Sequence, residues 1–412
     1  RQRQFLAGIN IEDLELILHP MIEDIKEAVG SMGDDTPTAV LSDKYRPLSH
    51  FFRQNFSQVT NPPIDSLREN EVMSLKTRFG NTGNILDFEN LTEDSIYVLE
   101  SPILSNAQFE KFSKFFKKNI KVLDCTFDVN RSLKERLDEL RLEAEVAVRE
   151  GAKHLVLTDK EVSEKNAAIP MILAIGAINS RLVNLGIRGF ASINVQTAEA
   201  LDTHSFAVLL GVGATTINPY LSFDSIFQRY KKQLFGKLAF EQCIHRYIKS
   251  IDNGLLKIMS KMGISVLSAY RGGCNFETVG LSRAVVAEYF PGMISRISGI
   301  GISGIEKKIK KLHKKAFQKN VAILPIGGIY KYRKNGENHQ YQGQLIHTLQ
   351  NAVEANSYEI YKRYAKGIYN LPLINLRDLL IFKSPNKPIK INEVESEIDL
   401  RKRFGSGSMS HG

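Results

Sequence analysis

Between residues 120 and 220 the chain alternates short apolar runs with longer amphipathic stretches, and this alternation constrains the fold more than any other feature. Ser132 and Glu135 form a potential capping box at the start of the first amphipathic stretch, and Gly151 follows its end. A helix between consecutive strands implies parallel strands joined by helical crossovers. The sequence therefore predicts an α/β fold with strands at residues 122–127, 155–158, 191–195 and 215–218.

Polar residues stand at the ends of the predicted strands, namely Asp124, Thr158, Asp159 and Asn218. Together with the strand–helix rhythm, they are typical of part of a (β/α) barrel, in which polar side chains gather at the carboxyl ends of the strands. A doubly wound open sheet gives the same pattern. We expect a degenerate, barrel-like parallel sheet over residues 96–325, with the choice between closed barrel and open sheet left open.

Three further regions flank this core. Residues 1–95 are predicted to contain helical pieces broken at Pro20, followed by loops. Residues 326–398 are predicted to form a hairpin around Asn335 and Gly336, then helices and a polar linker. Residues 399–412 begin a further unit. The chain starts without Met and stops without a closing element, so we expect both ends to be cuts through a longer polypeptide.

The composition limits the class of protein. Hydrophobic residues make up 43% of the chain, and no apolar run is long enough for a signal peptide or a membrane span. The three cysteines are far apart, which argues against disulfide scaffolds and zinc modules and favours a reducing compartment.

Much of the formal net charge of +10 lies in the lysine-rich stretch of residues 307–315. Its apolar residues recur at helical spacing, so the lysines are predicted to form the outer face of an amphipathic helix. This face is either simply solvated or a docking face for an acidic partner. The lysines have no interleaved aromatics, which argues against nucleic-acid binding. The predicted inner face carries Ile305, Ile309, Leu312 and Ala316.

Several candidate sites have simpler structural readings. Residues 299–304 match the dinucleotide fingerprint G-x-G-x-x-G, but residues 319–322, where an acidic partner is expected, contain no Asp or Glu. We interpret them as a glycine-rich turn. We interpret Asp34 and Asp35 as loop residues and not as metal ligands, and Cys125 as a small residue of the core. We predict no catalytic, cofactor-binding or metal-binding residue in the chain.

Thr60 and Asn61 precede the tandem prolines Pro62 and Pro63. Two small polar side chains on a proline-stiffened backbone are held in place at little entropic cost. A rigid surface turn explains the local chemistry as well as a functional loop does.

Nine short motifs follow one another along the chain, at residues 31–37, 52–54, 58–65, 100–104, 167–170, 218–221, 268–272, 295–297 and 408–412. In sequence and order they resemble the motifs of the glutamate synthase family, and the resemblance covers nearly the whole chain. Two positions depart from the family pattern: Gly273 and Cys274 replace the more usual Ala-Gln, and Asn338 stands where an aromatic residue is commoner.

The resemblance implies an enzyme that converts glutamine, 2-oxoglutarate and two electrons into two glutamates. It also implies an upstream glutaminase domain, a downstream FMN barrel with a [3Fe-4S] cluster, and a central domain that helps to line an ammonia tunnel. Residues 399–412 would be the first strand of the FMN domain, and Thr60 and Asn61 would lie near the tunnel entrance. The fragment itself would be inactive and hold no cofactor.

Further partners implied by the family are a small NADPH-oxidising subunit or ferredoxin, and the expected location is the cytoplasm. The sequence does not distinguish the electron donors. Two rival hypotheses stand beside this one: a free-standing α/β enzyme that binds a phosphate or nucleotide, and a basic interaction module that uses residues 307–315.

Overall fold

The computed structural model describes residues 1–27, 39–56, 68–80, 86, 96–318, 323–340, 342–384 and 387–405. The strands are β1 Phe52–Gln54, β2 Thr77–Phe79, β3 Tyr97–Leu99, β4 Ile120–Asp124, β5 Thr126–Asp128, β6 His154–Thr158, β7 Asn166–Ala168, β8 Ser192–Gln196, β9 Thr216–Asn218, β10 Phe276–Leu281 and β11 Ile294–Ile300.

The helices up to the core are α1 Gln2–Leu6, α2 His19–Glu23, α3 Glu69–Val72, α4 Asn106–Phe115, α5 Leu133–Arg149, α6 Met171–Asn184, α7 Thr203–Gly211 and α8 Tyr220–Lys231. Those that follow are α9 Phe240–Met262, α10 Leu267–Tyr270, α11 Arg283–Tyr289, α12 Ile302–Ala316, α13 Gly343–Glu354, α14 Tyr358–Tyr369 and α15 Glu397–Phe404.

The central element is a parallel sheet in the order β4-β6-β8-β9, so the strands lie side by side in chain order. The crossovers contain α5, α6 and α7, as the sequence predicts. Ile103 adds a parallel bridge to Ile217 at the β9 edge. The described strands hydrogen bond as four separate sheets, so their ladders do not close into a barrel. The predicted α/β class is confirmed.

The two faces of this sheet differ in chemistry. Leu155, Leu157, Ile193 and Val195 point to one side and belong to the large apolar core. Alternate residues point to the other side, where polar side chains predominate beside a smaller aromatic cluster around Phe112. Parallel strands are usually apolar on both faces because helices cover both. The polar face is therefore the unusual feature of this sheet.

Helix α5 shows how the apolar side forms. Leu137, Leu140 and Ala144 recur at helical spacing and are fully buried, as predicted. The Ser132 hydroxyl accepts a hydrogen bond from the Lys134 N–H at 3.2 Å. The predicted capping box with Glu135 is wrong, because the Ser132 hydroxyl accepts from the Lys134 N–H instead of the Glu135 N–H. The carboxylate of Glu306 on α12 accepts from the neighbouring Leu133 N–H at 3.0 Å.

Pro20 does not break the first helical region, contrary to the sequence expectation. A π-helical turn, Asp13–Leu18, runs directly into α2, and Pro20 lies in the first turn of that helix. The π-helical turn already departs from the regular i→i−4 hydrogen-bond ladder, so the missing N–H of Pro20 is accommodated without breaking the helical run. Leu18 and Met21 are fully buried in the same core as the parallel sheet.

The prediction of a hairpin around Asn335 is also wrong, because the two flanking segments do not pair as strands. Asn335 does turn the chain, with φ +65°, but residues 329–332 and 338–340 form no strand. The reason is Glu12, whose carboxylate accepts from the backbone N–H groups of Ile329 at 2.5 Å, Tyr330 at 3.2 Å and Lys331 at 2.9 Å. A carboxylate takes the donors that a strand ladder would need.

The predicted lysine-rich helix is confirmed as α12. Ile305, Ile309 and Ala316 are buried, together with His313, which the sequence analysis did not place there. Leu312 is half-buried. The lysines at 307, 308, 311, 314 and 315 are exposed.

The glycine-rich motif joins β11 to α12. Gly299 lies so close to β10 that an added Cβ would overlap the Gly280 carbonyl. The parallel pairing of the two strands shifts register between Val279 and Leu281, next to this contact. The glycine at position 299 therefore permits two backbones to approach closely.

Gly299→Ala tests this packing role. We expect a loss of about 2 kcal/mol or more in the free energy of unfolding, because a backbone atom cannot move aside as a flexible side chain can. Gly189→Ala is the matched control, because an added Cβ there meets nothing within 4 Å. Urea denaturation measures both variants, and equal stabilities would contradict the close-approach explanation.

Candidate functional site

The site residues predicted from the sequence form two groups, one outside the described residues and one within them. Thr60 and Asn61 lie outside the described residues, as do Asp34 and Asp35. The polar strand-end residues lie together at the carboxyl edge of the parallel sheet, where α/β folds bind ligands. They are Asp124, Thr158, Asp159 and Asn218.

A row of hydrogen bonds connects the strand ends. The Thr158 hydroxyl donates to Gln196 Oε1 at 3.2 Å, and Gln196 Nε2 donates to Asn218 Oδ1 at 3.1 Å. Asn218 Nδ2 then reaches the Leu104 carbonyl at 2.9 Å and Asn106 Oδ1 at 3.0 Å. Each amide therefore uses both its donor and its acceptor within the row.

The same polar face continues below this row. Thr216 donates its hydroxyl to Asn194 Oδ1 at 2.7 Å, and Asn194 Nδ2 donates to the Ser192 hydroxyl at 2.8 Å. Ser192 also contacts His154 Nδ1 at 2.8 Å. Burial, with the nearby Lys153 charge, lowers the pKa of His154 to about 4, so its imidazole is neutral at pH 7.

Asp159 lies just beyond β6 and is almost completely buried. One of its oxygens accepts from the Thr197 hydroxyl at 2.7 Å and the Ala198 N–H at 2.9 Å. The other accepts from the Tyr220 hydroxyl at 2.8 Å. Burial raises the pKa of Asp159, and these hydrogen bonds oppose that rise.

Glu199 is a second buried carboxyl at this edge. Its Oε2 accepts from the Met171 N–H at the start of α6, at 2.9 Å. Burial raises the pKa of Glu199 to about 8, although this hydrogen bond lowers it, and the charge of Asp159 adds to the rise. Glu199 is therefore largely protonated at neutral pH.

Cys125 and Asp124 complete the edge near β4. Burial raises the pKa of the Cys125 thiol well above its ordinary value, with the charges of Asp159 and Asp124 acting in the same direction. A thiol of this kind is a poor nucleophile, so Cys125 is a core residue. The Thr126 hydroxyl donates to Asp124 Oδ2 at 3.0 Å.

A further acidic cluster joins the N-terminal region to α7. The Thr203 N–H donates to Glu27 Oε2 at 2.9 Å, and the Asp202 side chain caps α7 through Ser205. Burial raises the pKa of Asp13 to about 7 and that of Glu27 to about 8, and the Asp202 charge raises both further. Nothing in the local sequence pattern indicates this cluster.

The arrangement at the carboxyl edge is that of a filled site. Its polar groups bond mainly to one another, which leaves few oriented groups for a substrate. Asp124 Oδ1 is a buried oxygen at this edge for which the described residues supply no hydrogen-bond partner. No group of three or more His, Cys, Asp or Glu in the described ranges is placed to hold a metal ion. None of the described helices is long and apolar enough to cross a membrane.

Sequence reasoning missed Gln196 and Glu199, and it missed the polar face as a whole. A signal was present, because polar residues alternate along the strands in His154, Thr158, Ser192, Asn194, Gln196, Thr216 and Asn218. Alternation is uncommon in buried parallel strands, so it could have indicated the interlocked face.

These features define a parallel α/β domain whose ligand-binding edge is filled by its own side chains. Comparison with known proteins gives the family. The glutamate synthase central domain family matches residues 2–282, and the conserved region in glutamate synthase matches residues 339–412. The chain belongs to the glutamate synthase central domain family.

Relatives include both electron-donor types. Over its full length the chain is 54% identical to the NADPH glutamate synthase large chain of Azospirillum brasilense and 38% identical to that of Bacillus subtilis, and it covers 27% of each. It is 37% identical to the chloroplastic ferredoxin-dependent glutamate synthase of Spinacia oleracea, of which it covers 26%. The chain therefore spans about a quarter of the length of these curated relatives.

The buried acid at position 199 predicts a pH-dependent stability. The folded pKa of Glu199, about 8, lies above the ordinary value of 4.5, so the folded state holds a proton that the unfolded state loses. The contribution of Glu199 to the free energy of unfolding is complete below about pH 4.5 and is lost as the pH rises towards 8. We expect Glu199→Gln to be more stable than the parent at pH 8 by about 4 kcal/mol, and to lose that advantage near pH 4.5.

Thermal unfolding at several pH values measures the difference. Glu161→Gln is the control, because Glu161 is exposed. A Glu199→Gln advantage that stays constant across this pH range would show that the buried carboxyl does not titrate as described.

Proposed function

We propose that this chain is the central scaffold of a glutamate synthase large subunit. The whole enzyme would make two L-glutamate molecules from L-glutamine, 2-oxoglutarate and two electrons, in ammonia assimilation and glutamate biosynthesis. The filled carboxyl edge supports a role in shape and positioning, because its polar groups are already bonded to one another.

The proposed role is to wall a passage for ammonia between two chemistries housed elsewhere in the polypeptide. Ammonia in bulk water protonates, and ammonium neither attacks a carbonyl nor crosses a low-dielectric passage easily. A rigid wall with a few hydrogen-bonding groups keeps the molecule neutral and directed. Thr60 and Asn61 are the proposed entrance residues, by their resemblance to the family motif.

The redox cofactors of the proposed parent enzyme, FMN and a [3Fe-4S] cluster, belong in this proposal to the rest of the polypeptide. The described residues offer no group of three cluster ligands, and the three cysteines lie far apart in sequence. Residues 399–412 would begin the FMN domain, although the first strand expected there is wrong for residues 399–404, which belong to helix α15. The electrons would come from a small NADPH-oxidising subunit or from ferredoxin, in the cytoplasm.

An apolar segment after α14, here called the apolar strap, supports contact with the missing part of the polypeptide. Its side chains are widely exposed, with Ile381 92% and Phe382 103% accessible. An exposed apolar surface of this extent marks an interface. We propose that the rest of the large subunit covers it. The strap carries Leu373, Leu376, Leu379, Leu380, Ile381, Phe382, Ile389, Ile391, Val394, Ile398, Leu400 and Phe404.

Thr60→Phe in the full-length enzyme tests the tunnel. A bulky ring at the entrance should obstruct ammonia, so glutamine hydrolysis should exceed glutamate formation from 2-oxoglutarate by about twofold or more. Parallel assays of the two products measure the ratio. Thr60→Ser keeps the hydroxyl and should preserve the parent ratio. An unchanged ratio in Thr60→Phe would remove Thr60 from the tunnel.

Expression of residues 1–412 alone tests the scaffold role. We expect protein without flavin absorbance and without glutaminase activity, because the proposed chemistry lies in flanking domains. Absorbance spectra and a glutaminase assay measure both properties. The full-length enzyme serves as the positive control. Stoichiometric FMN on the fragment would refute the proposed division of labour.

A further inference from the structure

A second basic surface lies at the amino-terminal end of the parallel sheet, opposite the filled edge. We call it the lysine patch. It includes Phe115, the last residue of α4, which is 60% exposed. Its lysines are all exposed and are Lys114, Lys117, Lys118, Lys121 and Lys153.

The patch is held on a rigid base. The Phe115 ring lies 4.7 Å from Phe116 and 5.0 Å from Tyr97, measured between ring centroids. Phe116 in turn lies 4.1 Å from the His154 ring. The Lys153 N–H donates to the Asn119 carbonyl at 2.9 Å, which brings the start of β6 against the turn that carries Lys117 and Lys118. Lys114 and the turn that carries Lys117 and Lys118 therefore flank an anchored aromatic ring, and Lys121 and Lys153 lie at the same end of the sheet.

The charges of the patch are uncompensated in the part of the chain that the structure describes. The ion-paired lysines there are Lys76, Lys310, Lys362 and Lys402. The nearest acidic residues along the chain, Glu110, Asp124 and Glu150, form no ion pair with the patch lysines. Concentrated like charge raises the local potential and attracts an oppositely charged surface.

The exposed apolar area of the patch is small. Val122, on edge strand β4, is 57% exposed and adds to Phe115. Permanent interfaces are more apolar and carry fewer charges at their centre. The apolar strap has the apolar composition of a permanent interface. The lysine patch is mainly charged, with Phe115 and Val122 as its exposed apolar residues. Such a surface favours rapid, salt-sensitive association with a separate molecule.

We propose that the lysine patch docks a separate acidic protein, whose carboxylates surround an apolar side chain that packs on Phe115. Nucleic acid is less well matched, because strand-tracking surfaces stack successive bases on several rings, and Phe115 is the exposed ring here. A lipid surface is also less well matched, because interfacial binding needs a broader apolar face.

The test uses the full-length polypeptide that carries these residues. The probe is a fluorescent peptide rich in glutamate with one central leucine, and its binding is followed by anisotropy at several salt concentrations. The patch variant combines Lys114→Glu, Lys117→Glu and Lys118→Glu. The matched control makes the same charge change on α12 with Lys307→Glu, Lys311→Glu and Lys314→Glu. Circular dichroism verifies that both variants fold.

We expect the patch variant to bind the peptide about tenfold or more weakly, with a shallower salt dependence, and the α12 variant to bind like the parent. Phe115→Ser should weaken binding of the leucine-containing peptide severalfold and leave a peptide with glycine in place of leucine unaffected. Undetectable binding to the parent, equal losses in both triple variants, or a greater loss in the α12 variant would overturn the proposal. Tighter binding of oligothymidine or phosphatidylserine vesicles than of the peptide would overturn it equally.

Discussion

The polar face of the parallel sheet is the constraint on which the rest of the structure depends. Buried amides and hydroxyls are costly unless they are paired, and Thr158, Gln196 and Asn218 are paired across three strands. This pairing fixes the strand register, because a slip of one residue would exchange the polar and apolar faces. The apolar helices can then cover the opposite face, and the aromatic cluster around Phe112 fills the remaining part.

The same pairing bears on what the domain can do. Enzymes of the α/β class place unpaired polar groups at the carboxyl edge of the sheet, where a substrate completes their hydrogen bonds. Here Asp159 is already surrounded by Thr197, Ala198 and Tyr220. The rival hypothesis of a nucleotide enzyme relied on residues 299–304, where Gly299 serves instead to bring two strands together. Both observations support the scaffold role proposed above.

The sequence was sufficient for the strand–helix order, because apolar periodicity and Gly151 act locally. It was insufficient wherever a distant residue decided the outcome. Glu306, distant in sequence, accepts the Leu133 N–H at the start of α5, and Glu12 accepts the backbone donors of the expected hairpin. The raised pKa of Glu199 depends on burial, which no short pattern encodes. For Thr60 and Asn61, the site prediction still rests on the family resemblance.

The contact between Glu12 and residues 329–331 is made entirely by backbone N–H groups of the loop. It consequently does not depend on which side chains the loop carries, as long as none of the three positions is proline. Substitution is thus tolerated at loop positions 329–331, whereas it is severely restricted at Glu12, whose carboxylate accepts all three hydrogen bonds. The loop can change its outer surface to suit whatever lies against it while Glu12 keeps its path fixed.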